Sequence, residues 1–145
     1  MVEFYKYLCL TPDGEPARIT IATGPVIIKN KKVLVVKHGD DAGWKFPGGR
    51  LRDDCSAQEN AKREVKEELG LDVSIEGEPF VVTFTREKDG VQEYVILMHY
   101  RATILNGGRP KKARDVREVA WLPINELPDD CMPNIKPAVR ALSEI

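Results

Sequence analysis

Glu64, Glu67 and Glu68 are the residues of this chain whose types and spacing are best suited to chemistry. On a helix, at roughly 100° per residue, the three carboxylates share one side. The arrangement is electrostatically awkward. Glu64 and Glu68 are an i,i+4 pair of like charges, Glu64 and Glu67 an i,i+3 pair, and such pairs repel. They also crowd a helix C-terminus, where the macrodipole favours Lys or Arg. A bound cation would offset those costs. Hard carboxylate oxygens suit Mg²⁺ or Mn²⁺, which keep several waters and share their other positions with substrate phosphates. Gly48 and Gly49 stand upstream and fit the same picture, because residues without a side chain let backbone groups approach a metal or a phosphate.

The elements that must position these groups can be read in turn. Ser56 and Glu59 form a capping-box pattern, Ala57, Ala61, Val65 and Leu69 recur every four residues, and Gly70 sits where a left-handed C-cap belongs. This predicts a helix over 57–69, with the glutamates beside its apolar stripe. A helix packed on a sheet by that stripe aims them at the sheet edge. Strands are predicted for 4–10, for 19–28 and 32–36 as a hairpin, for 80–85 and 94–104 joined through a turn ending in Gly90, and for 116–122. Residues 124–127 suggest a helical turn, and 134–143 a terminal helix with Ile135, Val139 and Leu142 on one face. Strand-rich segments around two helices point to an α/β fold with a mixed sheet between helices.

Bulk properties narrow the function classes. A chain of 145 residues without repeat or linker reads as a single domain, 1–145. A formal net charge of −1 supplies no global field for nucleic acid or anionic lipid, which argues against both as partners. Two local basic stretches stand out, Lys29–Lys32 and Arg109–Arg114, and both read first as solvated loops. Cys9, Cys55 and Cys131 are scattered and form no CxxC, so a reducing, cytoplasmic setting is expected rather than a disulfide framework or structural zinc. No apolar run approaches the roughly 18 residues of a membrane span.

Together these residues resemble the Nudix hydrolase box, G-x5-E-x7-R-E-U-x-E-E-x-G-U, where U is a bulky apolar residue. Gly49 matches the first position, and Arg63, Glu64, Val65, Glu67, Glu68, Gly70 and Leu71 match the tail in register. Trp44-Lys-Phe-Pro-Gly-Gly49 resembles the family's lead-in, and Arg117 to Pro128 its C-terminal strand and turn. The resemblance implies a Nudix-type α/β/α sandwich of the MutT-like kind. It also implies Mg²⁺-dependent hydrolysis (Mn²⁺ being an alternative) of a pyrophosphate bond in a nucleoside diphosphate-linked small molecule. Carried over by position, the resemblance would make Glu67, Glu68 and the Gly48 carbonyl metal ligands. Glu64 would ligate a second ion or act as general base, and Arg63 would orient it. Some family members supply the base from a later segment, where Glu118 is the first candidate here and Asp115 the second.

One fixed position departs, since Cys55 stands where the box has its first glutamate, and Arg52 replaces a second acid common in relatives. A thiol is a poor Mg²⁺ ligand. The expectation is that Cys55 is structural and that activity survives it. Lys37 and Arg50, with the Gly49 backbone, are the candidates for substrate phosphate. His38 reads as a surface group, His99 as structural, Trp44 as either a stacking or a packed ring, and Trp121 as core.

The favoured substrate is a canonical or modified (d)NTP. ADP-ribose, nucleotide sugars and dinucleoside polyphosphates are alternatives, although the family's markers for ADP-ribose and for dinucleoside polyphosphates are absent from residues 85–89. A second reading is a nucleotide-binding module with little catalysis, supported only by Cys55 and Arg52. A third, an RNA-end processing factor, needs a basic groove, and only Arg109–Arg114 hints at one. A homodimer is compatible with the sequence.

Overall fold

The computed structural model describes residues 6–10 and 13–143. In chain order the elements are β1 (Lys6–Leu10), β2 (Pro16–Thr23), β3 (Val26–Lys29), β4 (Lys32–His38), β5 (Gly49–Arg50), α1 (Ala57–Leu69), β6 (Val73–Lys88), β7 (Val91–Ile104), β8 (Val116–Pro123) and α2 (Ile135–Leu142). The strands form one mixed sheet in the order β1-β2-β7-β3-β4-β8, with β5 also on β2 and β6 on β7.

The strand expected over 19–28 is broken at Gly24-Pro25, and the break organises the sheet. Pro25 has no N–H to give a ladder. β2 and β3 both run parallel to β7, pairing Thr23 with Met98 and Val26 with Arg101. Their outer edges diverge, because β2 takes β1 and β5 whereas β3 takes β4. The sheet therefore forks at Gly24-Pro25. β6 is longer than expected, running back to Val73 with a register shift between Glu76 and Phe80. Phe4 and Tyr5 of the expected first strand lie outside the described residues. Residues 124–126 form a turn rather than a helix.

Strand alternation divides the core between the two faces. Ile27, Leu34 and Val36 face α1, where Val65, Leu69 and Leu71 pack on them. Val26, Val33 and Val35 face α2, against Ile135, Ala138, Val139 and Leu142. Leu69 is fully buried, and burying such a side chain stabilises by about 1.5–3 kcal/mol. The molecule is a three-layer α/β/α arrangement. His99 ties the second layer to the fork: its Nδ1 lies 2.8 Å from the Gly24 carbonyl and its Nε2 3.1 Å from Asn134. Burial pushes its pKa below the usual imidazole value, outweighing the Gly24 carbonyl.

Candidate active site

Helix α1 begins and ends as its sequence dictates. The Ser56 hydroxyl accepts from the Glu59 amide at 3.1 Å, and Gly70 adopts φ +67 and donates to the Lys66 carbonyl. Two further carbonyls of its last turn are met from outside the helix. Lys111 N–H donates to Leu69 O at 2.8 Å, and Ala113 N–H to Glu68 O at 3.0 Å. The loop after β7 is thereby fastened along the helix end, beside the glutamates.

Glu64 and Glu68 are 8% and 3% exposed, and carboxylates so buried require partners. Glu68 Oε2 accepts from the Gly48 amide at 2.7 Å, while Oε1 meets His38 Nε2. Glu64 Oε1 accepts from Arg63 Nη2 at 3.1 Å, and Oε2 from Arg114 Nη1 at 3.2 Å. Arg114 Nη2 contacts Glu67, whose carboxylate also lies 3.9 Å from Arg63 Nε. Arg114 thus bridges two of the three glutamates from a non-glycine position at φ +52.

The glycines are required by closeness. A Cβ on Gly49 would lie 2.7 Å from the Glu64 carboxyl carbon, and one on Gly48 would lie 2.1 Å from the Thr23 carbonyl oxygen at the fork. Asn60, one turn before Glu64, is fully buried and joins these pieces. Its amide donates to Thr23 Oγ1 at 2.8 Å and to the Gly49 carbonyl at 3.3 Å, and its oxygen accepts from Arg63 at 2.5 Å. Arg63 Nη1 also donates to Cys55 Sγ at 3.2 Å. The thiol takes one fork of the guanidinium that aligns Glu64.

Sequence reasoning missed Asn60, Arg114 and the importance of His38. Two of these were readable. Asn60 continues the i,i+4 ladder of Glu64 and Glu68, and His38 shares strand parity with Leu34 and Val36, which face α1. Asp41 braces the same loop, accepting from the His38 amide at 2.9 Å with Lys45 Nζ at 3.0 Å. Burial pushes its pKa up, but the His38 amide and Lys45 outweigh this and hold the carboxyl below its usual value.

Lys37 is not brought to the glutamates. It has the opposite parity, and its ammonium lies 4.5 Å from the Trp44 ring centre, 3.5 Å from Asp130 and 4.0 Å from Glu118. Glu118, its cross-strand partner on β8, goes with it and also pairs with Arg117 at 3.2 Å. Both belong to the α2 side, away from the carboxylate cluster. Arg50 is exposed on β5 next to Gly49, and Asp115 is exposed beside Arg114, its carbonyl accepting from the Gly39 amide at 3.0 Å.

Among the described residues no three Asp, Glu, His or Cys side chains converge as a ready-made cation cage. The donor chemistry nonetheless fits a hard divalent ion: three carboxylates stand together on one helix face, two of them buried, and their positive complement is supplied by Arg114 and His38. Arg114 is half-exposed and loop-borne, so its carboxylate partners can be released without disturbing the core.

A mixed sheet between two helices, with a Gly-Gly turn against a glutamate-bearing helix, defines the class of a Nudix fold. The NUDIX domain model matches residues 19–142, and the chain belongs to that family. A Mycobacterium tuberculosis (strain CDC 1551 / Oshkosh) relative bearing the name MutT4 is 33% identical over 85 residues, 59% of this chain and 34% of that protein. An 8-oxo-dGTP diphosphatase of Proteus vulgaris is 33% identical over 61 residues, 39% of this chain and 54% of that one. The chain thus spans about a third to a half of these two relatives' lengths. Among solved structures, a C. elegans Ap4A hydrolase binary complex superposes with a TM-score of 0.66 at 19% identity, covering 86% of this chain and 95% of that one.

Proposed function

We propose that this domain hydrolyses a pyrophosphate bond in a nucleoside diphosphate-linked small molecule, with a (d)NTP or modified nucleotide as the favoured substrate. The observation that carries this reading is the buried carboxylate pair, Glu64 and Glu68, with Glu67 beside them and the Gly48-Gly49 turn against them. Family membership supplies the reaction class, and the Proteus vulgaris relative is named for a nucleotide, 8-oxo-dGTP.

Glu67 and Glu68, with the Gly48 carbonyl, would hold Mg²⁺ or Mn²⁺. When bound, such an ion neutralises pyrophosphate charge and lowers the pKa of an attacking water. Glu64 would accept a proton from an attacking water, or would ligate a second ion. Arg63 keeps one of its oxygens aligned through a charge-assisted hydrogen bond at 3.1 Å, and Asn60 and Cys55 hold Arg63 in turn. Glu118 is the weaker candidate for the base, because it pairs with Lys37 on the α2 side of the sheet, away from the carboxylate cluster. Arg50, next to Gly49, is the residue proposed to meet substrate phosphate.

Mg²⁺-dependent release of phosphate or pyrophosphate across a nucleotide panel tests the reading, with Glu67→Gln as the comparison. Wild-type turnover that disappears in the variant is the expected result. If neither protein turns over and both hold nucleotide equally well, the domain is a binding module. A cytoplasmic setting accords with the free thiols of Cys55 and Cys131.

A further inference from the structure

The two basic stretches, separated in sequence by some 77 residues, meet in space. Lys29 and Lys32 flank the β3–β4 turn, and the loop after β7 brings Gly108, Arg109 and Pro110 against them, with Trp121 of β8 completing the wall. Together they line an open groove of about 490 Å³, within the roughly 300–1,000 Å³ typical of ligand sites. Lys29, Lys32 and Arg109 are exposed, and none ion-pairs with a carboxylate among the described residues.

Lys32 lies at the far end of β4 from His38, about 20 Å along the strand at ~3.3 Å per residue. The groove's cations come from two separate segments, the β3–β4 hairpin and the loop after β7. From Arg109 the loop carries Lys111 and Lys112 onward, to where Ala113 bonds the end of α1. A mononucleotide phosphate needs convergent donors, whereas a spaced row of cations beside an aromatic side chain is the device that tracks a single-stranded backbone.

We propose that this groove binds a single-stranded oligonucleotide, its phosphates on Lys29, Lys32 and Arg109 and a base against Trp121. The groove answers the requirement that the net charge of −1 and the sequence-separated patches leave unmet. Binding here is independent of the catalytic reading, because none of these residues belongs to the carboxylate site.

The test is fluorescence anisotropy in EDTA, using a labelled oligouridylate of about 12 nucleotides, inside the ~4–16-nucleotide range of such grooves. The variant carries Lys29→Glu, Lys32→Glu and Arg109→Glu together. Its fold is checked by circular dichroism, and Arg109→Ala alone serves if the triple variant does not fold. The triple variant is expected to bind at least about tenfold more weakly. The wild-type slope of log affinity against log salt should exceed the variant's by about 2, three phosphate contacts at ~0.7 each. Hydrolysis of a mononucleotide should be the same in both proteins. Three results would each overturn the proposal: no strand binding by the wild type, binding unchanged by the substitutions, or displacement by UMP at equal phosphate concentration. Because EDTA removes any metal, a domain that proves non-catalytic still gives a clear answer.

Discussion

The α1-facing side of the sheet carries two charged regions, one at each end of β4, and they are built on opposite electrostatic terms. At the His38 end every carboxylate of the cluster touches a cation or an amide of the protein: Glu68 has His38 and Gly48, Glu64 has Arg63 and Arg114, and Glu67 has Arg114. At the Lys32 end three cations face solvent without a carboxylate partner among the described residues. The difference decides what a ligand gains. A cation entering the first region must displace Arg114, so it gains only the difference between two partners. An anion entering the second gains the full Coulomb term, which salt then screens over about 8–10 Å. The compensated region is accordingly selective, and the uncompensated one permissive.

Substitutions at the compensated end should have the largest effects. Glu64→Gln removes the proposed base with little change in shape, and kcat is expected to fall by about 10²–10⁴-fold. Glu118→Gln, on the other face, should leave kcat within a few-fold. Equal losses from the two would erase the distinction between the faces. Gly49→Ala comes next. The new Cβ would meet the Glu64 carboxyl at 2.7 Å, and a displacement near 1 Å at a reacting group is worth about 10²-fold in rate. Thermal unfolding of this variant should shift much less than its rate, and a rate near wild type would show that Glu64 has room to spare.

Arg114→Gln probes the compensation itself. Pairs this exposed contribute about 0.2–1 kcal/mol, so Mn²⁺ affinity, followed by electron paramagnetic resonance, should tighten by no more than about fivefold. The metal-free protein should melt slightly earlier, with the difference closing when Mn²⁺ is added. Weaker Mn²⁺ binding would mean that Arg114 organises the glutamates rather than standing in for a cation. The smallest effect is expected from Cys55→Glu. The thiol already accepts from Arg63 at 3.2 Å, so a carboxylate there strengthens an existing contact and kcat stays within a few-fold. A rise of orders of magnitude would mark Cys55 as a crippling replacement.

The residues of helix α1 made the site legible in the sequence because their information is local. Caps, apolar stripe and glutamate spacing lie within fifteen residues and follow one period. A mixed sheet between helices was legible for the same reason, from local runs of β-branched residues and turns, whereas the three-layer sandwich was what the family resemblance implied. Arg114 was not, since it reaches Glu64 across 50 positions through a loop whose path is set by α1's unpaired carbonyls. β5 is two residues long and has no pattern of its own to detect. Lys37, a candidate for its charge near the glycine turn, stands on the opposite face of β4 from His38, because a one-residue step along a strand reverses the face. The groove at Lys32 escaped because it exists only after β3–β4 and the β7–β8 loop are juxtaposed.

The two hydrogen bonds that the Lys111 and Ala113 amides donate to the end of α1 carry a dynamic consequence. They join a long surface loop to the helix's final turn, so the two segments open as one cooperative unit rather than fraying separately. Amide hydrogens at Lys111 and Ala113 should then exchange at the pace of the helix, not of a loop. Each opening withdraws Arg114 from Glu64 and Glu67 at the same moment. The population of that opened unit, small as it is, is the population of molecules in which the glutamates stand without their bridging guanidinium.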